Sequence, residues 1–179
     1  MNAGPGHNNG PTMEPGLAWR THCWSHARRA LLPHLPLEVR RGRLKRAAAL
    51  GLDYSTYAGI RATSGHDVIA VLFSSNALFA PALAVRADRI AEIRAQRIGL
   101  ASAPLTHTDL DGFALDAIHP APQHLAPFAR QRAAMRTALD RMPGDRALLV
   151  GAYPLERDWS VAGGLAGYVD AARYFGPLA

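Results

Sequence analysis

Apolar residues run unbroken from Val68 to Phe73 and stop at Ser74-Ser75-Asn76. A run of six, rich in β-branched residues and preceded by Gly65, predicts a strand buried on both faces. Strands of that kind belong to parallel sheets covered by helices. Ala147 to Val150, stopped by Gly151, predicts another strand, and Ile98 to Ala101, interrupted by Gly99, a third. Between them the period changes. Over residues 82–97, Leu83, Ile90 and Ile93 fall near one side, followed by Ile98, with Arg86, Arg89, Glu92 and Arg94 elsewhere. That spacing predicts an amphipathic helix. Ala126 to Met142 predicts a second helix, ended by Pro143-Gly144, and Ser160 to Tyr174 a final one. Residues 103–125 hold three prolines and read as a loop. The order β-α-β-α-β-α over 67–175 places the chain in the α/β class. The expected fold is a small parallel three-layer sheet of about three to four strands, preceded by a basic helical segment.

The N-terminal part divides into a tail and two helices. Residues 1–16 are rich in Gly, Pro and Asn and have almost nothing to bury, so they are expected to be disordered. Residues 17–32 predict a helix with Leu17, Trp24, Ala27 and Leu31 on its buried stripe. His22 and His26 share a face of it beside Cys23, and a zinc site would need a further cluster that the sequence lacks. Residues 36–50 predict a second helix, with Pro36 in its first turn and Gly51 as its stop. The expected division is a tail over 1–16, a basic helical segment over 17–65 and an α/β domain over 66–179.

Charge changes this picture more than composition does. The chain carries 20 basic and 14 acidic residues, and Lys45 is its only lysine. Residues 17–61 hold nine basic side chains against Glu38 and Asp53, whereas 62–179 balance at eleven of each. A basic segment beside a neutral body points to a polyanionic partner, DNA or RNA first. An Arg-rich, Ala-rich composition is also what codon bias produces. One cysteine excludes an internal disulfide, and the N-terminus lacks a signal-peptide pattern, so the cytoplasm is the expected compartment. No apolar run approaches the roughly 20 residues of a membrane span, so no membrane partner is expected.

Candidate chemistry falls in two places. Arg40, Arg41, Arg43, Lys45 and Arg46 crowd the second helix, and with Arg61 they form the expected phosphate-contacting set. Arg43 to Ala62 also resembles a helix-turn-helix. Ala47 stands at its small-residue position, Gly51 in its turn, Asp53 at the cap, and Tyr57 and Ile60 at its inward positions. The resemblance implies that Tyr54, Ser55, Thr56 and Arg61 lie near the groove or the backbone. It departs from the pattern at Arg46, a position usually apolar, and at Gly59. The second place is the carboxyl edge of the sheet, where three loops are expected: Ser74-Ser75-Asn76, His107 to Asp111, and Glu156-Arg157-Asp158. His107, Asp109 and Asp111 are candidates for acid–base work or for holding a hard cation, with Glu156 and Asp158 as possible additions. Turn-making and helix capping are the ordinary alternative for both Asp109 and Asp111. His107-Thr-Asp-Leu-Asp-Gly112 is similar to a segment of the DHH-family phosphoesterases, which implies metal-dependent phosphate hydrolysis. Asp116-Ala-Ile-His119 looks like the Asp-x-x-His block of the SGNH hydrolases, whose early Gly-Asp-Ser block this chain lacks. Neither a P-loop nor a Gly-x-Gly-x-x-Gly turn is present, and no cofactor is indicated. The leading expectation is nucleic-acid association. The alternatives are a small metal-dependent hydrolase and a non-catalytic interaction protein.

Overall fold

The computed structural model describes Cys23, residues 35–79 and residues 83–176. The expected tail and the helix over 17–32, with His22 and His26, lie outside the described residues, apart from Cys23, which is helical and exposed. The chain divides into two compact units at Arg40/Arg41.

Two helices come first, α1 (Leu37–Ala49) and α2 (Tyr54–Ser64). The turn between them needs Gly51, at φ +69°, and Asp53, whose carboxylate accepts from the Thr56 backbone N–H at 2.9 Å to cap α2. The chain then alternates through β1 (Ala70–Ser74), α3 (Ser75–Leu78), α4 (Leu83–Ala91), β2 (Gln96–Ala101), α5 (His107–Leu110) and β3 (Ala117–Pro120). It continues through α6 (Phe128–Leu139), β4 (Ala147–Gly151), α7 (Arg157–Gly163), β5 (Gly167–Asp170) and α8 (Ala171–Phe175). All five strands are parallel, in the order β3-β2-β1-β4-β5. The fold is α/β, with helices on both faces of the sheet.

Strand alternation sorts the core into two layers. Val71, Phe73, Leu148 and Val150 face a layer holding Leu50, Tyr57, Ile90 and Phe175. Ala70, Leu72, Ala147 and Leu149 face the opposite layer, built from Met135, Ala138, Leu139 and Trp159. Every residue of β1 and β4 is buried, which explains why these two strands appear as continuous apolar runs. Ala47, Leu50, Leu52 and Tyr57 belong to the same core cluster as the sheet, so the helical pair from Arg41 onward shares the sheet's core.

The sheet has five strands rather than three or four, and the two extra ones are its edges. Residues 103–125 contain α5 and β3. The sequence Ala-Ile-His-Pro of β3 is half-buried and has no apolar run to signal it. The single helix expected over 160–174 is instead α7, β5 and α8. Gly164, at φ +61°, ends α7 in the left-handed region. The helix expected over 82–97 ends at Ala91, because Gln96 and Arg97 already pair with β1.

Two glycines separate packing from propensity. A Cβ on Gly144 would stand 2.3 Å from the Gly163 carbonyl oxygen and 2.8 Å from that of Gly164, both backbone atoms that cannot turn away. Gly59 lies inside α2 with nothing within 4 Å of its would-be Cβ. Gly144→Ala is therefore expected to lower stability by about 1–3 kcal/mol. Gly59→Ala is expected to raise it by about 0.5–1 kcal/mol. Urea midpoints at unchanged m-value are the check.

Candidate functional site

The chain turns back on itself between β3 and β4, so the sheet's topological switch point lies between β1 and β4. In open α/β sheets ligands bind outside the carboxyl ends of the strands at that crevice. Here the crevice is filled by the protein itself. Glu156, fully buried, reaches under the edge from a single 3-10 turn (Pro154–Glu156) that follows β4. Its Oε2 accepts from the Ser74 hydroxyl at 3.0 Å and from the backbone N–H groups of Ala152 at 2.7 Å and Tyr153 at 3.2 Å. Its Oε1 accepts from the Asn76 side-chain amide at 2.7 Å. Oε2 thus takes three of the four bonds and Oε1 one, so both carboxylate oxygens are engaged.

Local sequence makes this clamp possible. Ser74 is the last residue of β1 and the N-cap of α3, where its Oγ accepts from the Ala77 N–H at 3.1 Å while its own proton goes to Glu156. A Cβ on Gly151 would stand 2.4 Å from Glu156 Oε2 and 2.7 Å from the Tyr168 ring, so the clamp needs glycine at the end of β4. The fully buried Ser75 extends the tie to the next strand, its Oγ accepting from the Ser102 N–H at 3.0 Å. Three strand ends are thus fixed together by short polar side chains.

The three expected edge loops do follow β1, β2 and β4, but their residues do different things. Asp109 turns back on its own helix. Its Oδ2 accepts from the Thr106 backbone N–H at 2.7 Å and from the Thr106 hydroxyl at 2.8 Å. Those bonds hold its carboxyl below the usual carboxylate range. Asp111 is exposed at the C-terminal cap of α5, and Asp158 is exposed on α7. His107 opens α5. Asp109 therefore serves as a helix cap. Among the described residues no group of three or more His, Cys, Asp or Glu side chains could hold a metal ion.

The basic residues also divide. Arg40, Arg41 and Lys45 are exposed on α1, whereas Arg43 and Arg46 are half-buried. Arg46 donates from Nε and Nη2 to the Val68 carbonyl at 3.0 and 2.6 Å, closing the backbone just ahead of β1. Arg61 pairs with Asp67 at 2.6 Å, and Asp67 also accepts from the Tyr57 hydroxyl at 2.5 Å. Burial, with the Asp67 bond, pushes Tyr57 up to about 12.

At the positions that the helix-turn-helix resemblance turns inward, Ala47 and Tyr57 are buried and Ile60 is half-buried against the same core. Of its implied outward residues, Ser55 is exposed and Tyr54 half-buried. Thr56 is buried and takes an N–H of Arg173 at 2.7 Å, and Arg61 is held by Asp67. The exposed residues of α2 are Ser55, Gly59, Ala62 and Thr63, none with a long donor to read a base edge.

One basic surface escaped the sequence reading. Arg130, Arg132 and Arg136 stand exposed on α6, on the sheet face opposite α2. The charge balance of residues 62–179 concealed them. The available signal was the absence of any acid from Ala117 to Leu139.

Comparisons with protein-family models, with curated proteins and with solved structures found no match for this chain.

Removing the clamp leaves four donors without their acceptor, one buried at Ser74 and three part-buried at Asn76, Ala152 and Tyr153. Glu156→Ala is expected to cost about 3–5 kcal/mol, since each unsatisfied buried group costs about 1–3 kcal/mol and water relieves part of that. Glu156→Gln keeps one acceptor oxygen but turns an N–H₂ toward donors, so an intermediate loss is expected. Chemical denaturation of the two variants checks the order.

Proposed function

We propose that this protein is a non-catalytic α/β module that associates with nucleic acid through phosphate contacts from α1. The observation that carries the reading is the surface of that helix. Arg40, Arg41 and Lys45 are exposed there, and Glu38 is the only acid among its thirteen residues. Cations on such a surface release counterions condensed on a polyphosphate, a term that gives affinity without sequence preference. Arg46 and Arg61 are left out of the contact set because both are half-buried, with guanidinium groups turned to Val68 and Asp67. The α6 arginines offer a second cationic face to the same kind of partner.

Two further observations support the reading, the first its non-catalytic part. The crevice where such a sheet would hold a substrate is occupied by Glu156 and its four donors. The short side chains on the outer side of α2 favour backbone association over base readout. No described helix is long and apolar enough to cross a membrane. A cytoplasmic location, where nucleic acid is at hand and a lone cysteine stays reduced, belongs to the same proposal.

The test is fluorescence anisotropy on generic duplex DNA and single-stranded RNA, titrated with salt. Wild type is compared with the triple variant Arg40→Gln, Arg41→Gln, Lys45→Gln, and with Arg46→Gln. The expected result is binding whose log–log salt slope falls by about 0.9 per lost duplex contact in the triple variant, with affinity unaffected by sequence. Equal slopes in wild type and the triple variant, or no binding at low salt, would refute it.

A further inference from the structure

A cavity of about 410 Å³ lies between the turn at Gly51–Asp53, α2, α4 and α8, with Val169 of β5 also in its lining. That volume falls in the range of small-molecule sites, roughly 300–1,000 Å³. Two guanidinium groups line it, Arg89 from α4 and Arg173 from α8. Arg173 gives one N–H to Thr56 Oγ1 at 2.7 Å and keeps its other donors. Arg89 has no hydrogen-bond or ion-pair partner among the described residues, although Glu92 lines the same cavity. Its Nη1 lies 3.8 Å from where a Cβ on Gly176 would stand.

A third cation strengthens the field. Arg86, one turn before Arg89, is only 4% exposed. Its guanidinium sits over the Phe175 ring, 4.7 Å from the centroid, and donates to the Ala77 carbonyl. Its Nε has no partner, and no carboxylate pairs with it among the described residues. Phe175 itself lines the cavity. A buried cation without a counter-ion is costly, and here it adjoins a space with two more cations. Two carboxylates share the lining, Glu92 and Asp53; Asp53 takes the Ser55 hydroxyl, the Thr56 N–H and the Thr56 hydroxyl and lies within electrostatic reach of Arg173, which leaves Arg89 and Arg86 as the cations with no paired carboxylate among the described residues.

We propose that this cavity binds a small molecule with an oxyanion head group, a carboxylate or a phosphate, held by Arg89 and Arg173, and an apolar body against Ile93, Val169 and Phe175. Arg offers a planar fork that matches either head group. The site is independent of the α1 surface and of the closed switch point.

The test is thermal unfolding of the full chain with phenyl phosphate, benzoate or inorganic phosphate at millimolar concentration. The expected result is a rise in Tm of about 2–4 °C with phenyl phosphate or benzoate. Whichever acts more strongly identifies the head group. Arg89→Gln should abolish the rise, while its unliganded Tm stays at the wild-type value because Arg89 supports no internal contact. The triple variant at Arg40, Arg41 and Lys45 should keep the full response, so failure of the nucleic-acid reading leaves this result intact. No rise with either organic probe, or an equal rise in Arg89→Gln, would overturn the proposal. An equal rise with inorganic phosphate alone would overturn the apolar part of the site.

Discussion

A buried carboxylate with four hydrogen-bond donors holds the centre of this structure. Glu156 links the end of β1, through Ser74 and Asn76, to the turn after β4, through the backbone of Ala152 and Tyr153. An isolated buried carboxylate would be strongly unfavourable, and the donors offset that cost only because all of them are in place. The rest of the edge is arranged to permit it. Gly151 leaves room for the carboxylate, Ser74 serves both helix and clamp, and Ser75 carries the tie on to Ser102. The same interaction takes up the place where a sheet of this topology would receive a ligand.

The centre of the fold was legible in the sequence because it is buried on both sides. Ala70–Phe73 and Ala147–Val150 are buried throughout and allow no polar residue, so their apolar runs stand out. The edges were not legible for the converse reason. β3 is half-buried, includes His119 and Pro120, and gives no periodic signal. β5 was absorbed into a long helix because Tyr168 and Val169 also suit helical spacing, and the decisive residue was Gly164, a helix stop. Both edge strands are four residues long, the form in which edges resist further pairing.

The candidate site was legible in part. The prominence of Ser74-Ser75-Asn76 and the presence of Glu156 on the same edge followed from strand order alone. That the two would satisfy each other did not, because a contact between residues 82 positions apart leaves no local pattern. Charge misled in the opposite direction. Arg46 and Arg61 count toward a basic segment in sequence, but one closes the backbone ahead of β1 and the other neutralises Asp67. Meanwhile Arg130, Arg132 and Arg136 vanish into a balanced total while forming an exposed cationic helix face. Formal charge per segment is a sum, whereas a partner meets only the part that is exposed.

The central claim is that Glu156 locks the switch point, and amide hydrogen exchange at Ala152 and Tyr153 tests it most directly. Both amides lie in an irregular turn and have the Glu156 carboxylate as acceptor. The account predicts protection comparable to that of the central strands β1 and β4, because opening the turn requires releasing the whole clamp. Exchange of these two amides at the rate of an open surface turn, with β1 and β4 still protected, would contradict it.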